Sequence, residues 1–304
     1  AGGKDFSFPH LLPADSSRAT QLLPNYPWLD EVTLEFALAG MRSLDLGSDA
    51  HTDVLAVSLS ATDYIGHEYG PDSREIHDQI LRLDRTLGSF IDTLYSIRDS
   101  ARIVMALTAD HGVAPLTGLR KGAQRVDLSS IVQKQRQRLT QKGVDSSALR
   151  FELGMLFLDR AAFSRVPGEA DAVLKEFMTA ARAHSGVLRA DLVRKLAADT
   201  ARDSFARRWL NSLPPDIPVE VVVTLKPYNV WDYGVPIAMH GSPHDYDTHV
   251  PVIFYGPPFA TGRYDTFARV VDLAPTLAWV SLTQPTERLD GHVLRQALRQ
   301  AISK

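Results

Sequence analysis

The chain has 304 residues, enough for about two domains or for one large α/β domain carrying an insertion. Hydrophobic residues make up 44%, charged residues 23%, and the formal net charge is −3, which argues against a nucleic-acid-binding or anionic-membrane surface. There is no cysteine, so disulfides and thiolate metal sites are excluded, and any metal must be held by histidines and carboxylates. No apolar run approaches the roughly 18–20 residues needed to span a bilayer. No secretory leader is visible. The chain opens at Ala1 without a methionine, as a processed product or a piece of a longer protein would.

Residues Ala1–Asp30, with Pro9, Pro24 and Pro27, read as an irregular entry segment. Apolar residues at helical spacing predict a helix over Glu31–Leu46, stopped by Gly47. Asp53–Ser60 (DVLAVSLS) is a continuous aliphatic run, as in a strand buried on both faces. A polar turn and a long amphipathic helix over Ser73–Ile97 follow, then a second buried strand, Ala101–Thr108. Strand, helix, strand makes a βαβ unit with the two strands parallel. Beyond it, helices are expected over Leu128–Lys142, Glu169–His184 and Ala190–Leu210, and short strands over Arg150–Leu158 and Val219–Leu225. Val250–Tyr255 resumes the buried-strand pattern, with helices over Val270–Leu282 and Gly291–Ile302. The expected organisation is a core segment, 1–112, an inserted or lid-bearing region, 113–235, and a second core segment, 236–304.

Ligands in parallel sheets collect beyond the carboxyl ends of the strands, and the polar clusters sit there. Asp63 and His67 are four apart, on one face of a helical turn, where a carboxylate and an imidazole can chelate one cation. Alone, that spacing also fits an N-capping Asp with a surface His. Asp110 and His111 follow a strand and can serve one metal only if the chain turns at once, which Gly112 permits. A polar strand cap is the alternative. His240, His244 and His249 put three of the 10 histidines within ten residues, before Val250. The coincidence of all three clusters favours a binuclear site.

The stretches Ser60–Ser73 (SATDYIGHEYGPDS), Leu81–Arg85 (LRLDR), Leu107–Gly112 (LTADHG), His240–Pro243 and Thr248–Val252 resemble the alkaline phosphatase superfamily. Val271–Thr276 (VDLAPT) with Asp290-Gly291 fits its shared tail. Within the superfamily the chain looks most like the PafA-type alkaline phosphatases, close to type I phosphodiesterase/nucleotide pyrophosphatases. The resemblance implies an α/β fold, a largely parallel sheet sandwiched by helices, with an inserted α+β region. It implies two Zn²⁺, one on Asp63, His67 and His240, with His249 the alternative third ligand, and the other on Asp110 and His111. His244 looks like a local replacement of an aromatic residue. The implied activity is hydrolysis of small phosphate monoesters through a covalent phospho-enzyme, in a periplasmic or secreted protein that engages neither nucleic acid nor a membrane span.

In this superfamily the second zinc also takes an N-terminal Asp and a Thr or Ser nucleophile at a helix start. Nothing before Asp63 resembles that segment; Asp5, Asp15 and Asp30 lie in the entry region or at its end. Thr62 and Thr108 are expected inside or at the end of strands. The chain is therefore expected to carry metal ligands without the nucleophile, with the N-terminal part of the fold missing, and to be a poor catalyst by itself. A companion segment or an oligomeric partner would cover the sheet edge. Phosphodiesterase activity and a non-catalytic relative are the alternatives; a sulfatase-like site would use more carboxylates.

Overall fold

The computed structural model describes residues 7–234 and 237–299. They form two compact units. Of the described residues, the helical unit takes 7–69, Ser73–Asp110 and 249–299; the sheet unit takes Gly70–Asp72, 111–234 and 237–248. Residues 237–248, expected with the last core segment, cluster in the sheet unit.

In chain order the helices are α1 Ser16–Leu22, α2 Trp28–Ser43, α3 Ala61–Tyr69, α4 Arg74–Ile97, α5 Ser129–Gln141, α6 Pro167–Ala183, α7 Val193–Leu196, α8 Ser204–Ser212, α9 Asp245–Thr248 and α10 Leu273–Val280. The strands are β1 Met105–Thr108, β2 Arg125–Val126, β3 Leu149–Glu152, β4 Met155–Leu158, β5 Val187–Leu192, β6 Val219–Leu225, β7 Val230–Trp231 and β8 Val252–Tyr255. The architecture is the mixed α/β one expected.

The sheet unit is built around a four-stranded antiparallel sheet in the order β3-β4-β6-β5. The β3–β4 hairpin turns at Leu153 and Gly154, both with positive φ, the twist that suits a two-residue hairpin loop. Six of the seven residues of β6 are buried, because both of its faces are covered. Val221, Val223 and Leu225 pack with Val173 and Phe177 of α6, while Val222 packs with Leu196 of α7 and Trp209 of α8. Trp209 Nε1 donates to Thr224 Oγ1 at 2.9 Å, satisfying both buried polar atoms. Ala190–Leu210 is not one helix. It divides into β5, α7 and α8, because Ala190 is buried in a strand beside β6 and Asp203 starts a new helix by accepting from the Ala206 N–H.

In the helical unit, α2, α3 and α4 bury Leu34, Met41, Ile65 and Leu94. Ser73 caps α4 by accepting from the Ile76 N–H at 3.1 Å. The entry segment is less irregular than expected: Asp15 caps α1, and Pro27 immediately precedes α2, where a proline costs no helix bond. The expected parallel pairing is corrected. Asp53–Ser60 forms no ladder among the described residues, and β1 pairs antiparallel with β8, Leu107 opposite Ile253. An apolar run signals burial, but a strand exists only where another backbone meets its N–H and C=O groups. Residues 53–58 are exposed, Val54 by 84%. The last expected helix is reduced to a 3₁₀ turn at Arg295–Ala297, and its residues 300–302 lie outside the described residues.

Candidate metal centre

Helix α3 carries the first candidate pair. Its Ala61 and Ile65 are buried, at 0% and 1% exposure, which fixes which face points inward. Asp63 and His67 lie one turn apart, with Oδ1 and Nε2 separated by 3.5 Å. That is too long for a strong hydrogen bond, but it places both donor atoms around a common space. Their side chains are 43% and 25% exposed.

The start of α3 is held from α2. Asp30, 1% exposed, accepts from the Ala61 N–H at 3.0 Å and from Gln79 Nε2 at 2.8 Å. It is a helix cap supplied by another helix, and its charge complements the positive end of the α3 dipole. Burial pushes the Asp30 carboxyl above the usual carboxylate range, opposed by the bonds from Ala61, Gln79 and Ser60. Thr62 is not in a strand: it is the second residue of α3, and its hydroxyl accepts from Gln79 at 3.2 Å. Thr108 ends β1, as expected. The exposed Asp110 is the last residue of its stretch of the helical unit.

The sheet unit carries the second pair. His111 and His240 stack face to face, with ring centroids 3.4 Å apart and planes at 11°. His111 Nδ1 lies 2.8 Å from the Gly112 carbonyl, which can only accept, so Nδ1 is the donor and the lone pair sits on Nε2. The loops bearing the two rings are laced together: Ala114 N–H donates to Met239 O at 3.1 Å, and Gly112 N–H to Asp247 O at 2.7 Å. Gly112 has a role other than the expected one. Its φ is not in the left-handed region; rather, a Cβ there would collide with the Tyr246 carbonyl oxygen. Gly241, directly after His240, does need its positive φ of 94°.

The other two loop histidines are placed differently. His244 is 7% exposed, its Nε2 lies 2.8 Å from the Leu225 carbonyl, and its ring packs against Tyr246 and Phe205. His249 is exposed and belongs to the helical unit. Asp247, 4% exposed, accepts from the Ser242 N–H at 2.8 Å and the Ser242 hydroxyl at 2.5 Å through Oδ2. Its Oδ1 is buried without a partner.

The donor set of carboxylates and imidazoles suits zinc or another borderline divalent ion. The profile of type I phosphodiesterase / nucleotide pyrophosphatase matches residues 9–228. The chain belongs to that family. Asp63, His67, Asp110 and His111 of this family member lie inside the match, and His240 lies beyond it. The chain is 27% identical to alkaline phosphatase PhoV of Synechococcus elongatus over 98% of its own length and 54% of the relative's. It is 26% identical to alkaline phosphatase PafA of Elizabethkingia meningoseptica over 90% of its own length and 51% of the relative's. The crystal structure of wild-type PafA shares the fold, with a TM-score of 0.85 at 23% identity, over 98% of this chain and 60% of that one. The chain thus spans about half the length of the curated relatives it matches.

Sequence reasoning passed over Asp30, which reads as part of the entry segment because a cap supplied across the fold leaves no local signal. Asp247, like Tyr246, reads from the sequence as a neighbour that could orient the histidines, but nothing in its spacing marks it as buried.

Proposed function

We propose that the intact protein is a zinc-dependent phosphomonoesterase. Asp63, His67 and His240 would hold one zinc, and Asp110 with His111 would contribute to the other. The observation that carries this reading is the stacked His111–His240 pair, with the His111 tautomer fixed by Gly112, in a member of a phosphoric ester hydrolase family. When bound, the zinc ions supply positive charge for the phosphoryl oxygens and the leaving oxygen. The protein's part is to hold the ligand atoms in place. The Asp30 cap fixes the start of α3, and the lacing of 112–114 to 239–247 fixes the imidazole pair.

The nucleophile of the covalent phospho-enzyme would come from outside these residues. Thr62 is a poor candidate, because its hydroxyl is engaged with Gln79 and lies one residue round the helix from Asp63. Further strands, from the same polypeptide or an oligomeric partner, would pair with the edges of the β1–β8 sheet, and the elements that accompany them would cover its exposed apolar face. A periplasmic or secreted location fits the absence of cysteine; among the described residues no helix is long and apolar enough to cross a membrane.

A second reading, phosphodiesterase activity, is favoured by the description of the matching family. Assaying the intact protein side by side on p-nitrophenyl phosphate and bis(p-nitrophenyl) phosphate separates the two. The expected result is preferential monoester turnover, abolished by chelation and restored by zinc. Preference for the diester would replace the reading with the second one. Less than one zinc per chain under saturating zinc, with neither ester turned over, would make the protein a non-catalytic relative.

A further inference from the structure

One carboxylate in the sheet unit has no place in the ligand set. Asp247 is 4% exposed, so its charge is almost fully withdrawn from water. Oδ2 is well served by the Ser242 N–H and hydroxyl, at 2.8 and 2.5 Å. Oδ1 has no hydrogen-bond partner, although it is buried. An unpaired buried carboxylate oxygen costs free energy unless positive charge is nearby. Burial pushes the Asp247 carboxyl upward in pKa, and the groups whose positive charge would draw it back down include His244 and His111. His244 is committed to the Leu225 carbonyl, which leaves the His111 side as the place where a cation would answer the charge. The backbone points the same way. The Asp247 carbonyl takes the Gly112 N–H, and the preceding carbonyl, that of Tyr246, presses on Gly112 closely enough to exclude any Cβ. Asp247 therefore sits where the loop carrying His240 is fastened to the turn carrying His111.

We propose that Asp247 is a positioning residue of the metal centre: its backbone carbonyl fastens the His240 loop to the His111 turn, and its buried carboxylate, anchored on Ser242 of the same loop, holds there a negative charge that a bound cation offsets. The inference rests on the metal reading of His111 and His240. It makes Asp247 costly to the metal-free protein and favourable to the loaded one, a combination that a purely structural residue would not show.

The test is calorimetric zinc titration of the intact protein, together with thermal melting of its metal-free form. Asp247→Asn keeps the shape and an acceptor for Ser242 but removes the charge. Zinc affinity should fall about 10-fold or more, as when other outer partners of metal ligands are removed. The metal-free melting temperature should stay level or rise. Ser242→Ala removes a hydroxyl bond and leaves the charge, so it should lower the melting temperature and keep zinc affinity within about 2-fold of wild type. Wild-type affinity in Asp247→Asn would overturn the inference, as would an equal loss of affinity in Ser242→Ala. If Asp247→Asn does not fold, a loss of zinc affinity of about 10-fold or more in Ser242→Ala overturns the inference, and affinity within about 2-fold of wild type with a lowered melting temperature supports it. A wild-type protein that binds no zinc would overturn the metal reading and this inference with it, which separates the two failures.

Discussion

The two units treat similar strands differently. In the sheet unit, β6 (VEVVVTL) is covered on both faces, and Val221 and Val222, which point opposite ways, are each 0% exposed. In the helical unit, β1 and β8 pair in register, yet Leu107, Ile253 and Tyr255 on one face remain 43%, 53% and 58% exposed. The residue types are alike; what differs is whether helices lie on both sides. The apolar stretch 53–58, which precedes α3 in the chain, is exposed as well. The sheet unit thus completes its own core, while the helical unit presents an apolar surface.

The largest expected effect is at the site. Asp63→Ala or His240→Ala in the intact protein should lower kcat/KM by at least about 100-fold, the upper end of what losing an outer-shell partner costs. His249→Ala should leave it unchanged, and His244→Ala should lower stability while leaving turnover within about 10-fold. A silent His240→Ala with a dead His249→Ala would move the third ligand out of the sheet unit. Next in size, Phe177→Ala, which empties a fully buried position beneath the sheet, should cost about 3–5 kcal/mol in denaturant unfolding. Ile253→Ser on the exposed face should cost less than about 0.5 kcal/mol in the 304-residue chain, which is the size of an ordinary surface change. In the intact protein the same substitution should cost more; equal small costs in both settings would mean that nothing covers this face. A fully stable, monodisperse monomer of the 304-residue chain would count against the covering strands in the same way.

The smallest expected effect is a difference in pH response between the units. In the sheet unit, hydrogen bonding from Lys142, reinforced by the charge of Arg138, lowers the Glu169 carboxyl. Its contribution is present above the unfolded value and lost as pH falls through the folded one. In the helical unit, burial raises the Asp30 carboxyl above 3.8, so the native state binds a proton that the unfolded state has released. The Asp30 contribution is full below the unfolded value and lost as pH rises through the folded one. Hydrogen exchange followed through the acidic range should therefore show α3 loosening as pH rises above 3.8 and α6 loosening as pH falls below 4.5. Asp30→Asn should flatten the α3 response; a wild-type slope in that variant would remove Asp30 as its source. Gln79 could accommodate the new amide, because its Oε1 is buried without a partner and can accept once the side chain turns over.

Much of the candidate site's local structure was legible because its parts are close in sequence. Asp63 and His67 share a helix face by spacing alone, and Ser73 announces the start of α4 four residues before its first full turn closes. The βαβ reading failed for a complementary reason. Asp53–Ser60 has the composition of a buried strand, but composition does not say which backbone will pair with it, and β1 found β8 instead. Ala190–Leu210 misled because its apolar residues suit a helix, and only the neighbouring β6 drew its first part into a sheet. Gly112 read as a residue that permits an immediate turn; the structure uses it for lack of a side chain against Tyr246.

By itself, then, the sequence determined which side chains are available as ligands, the helical placement of Asp63 and His67, the exclusion of thiolate chemistry and the family resemblance. Each is a matter of residue identity at short range. The tertiary structure decided that His111 and His240 stack, that His244 is spent on the Leu225 carbonyl, that Asp30 caps a helix not its own, and that Asp247 is buried with one oxygen unpaired. Those facts depend on which loops and helices meet, and the free energy of meeting comes from packing and hydrogen bonding between segments far apart in the chain.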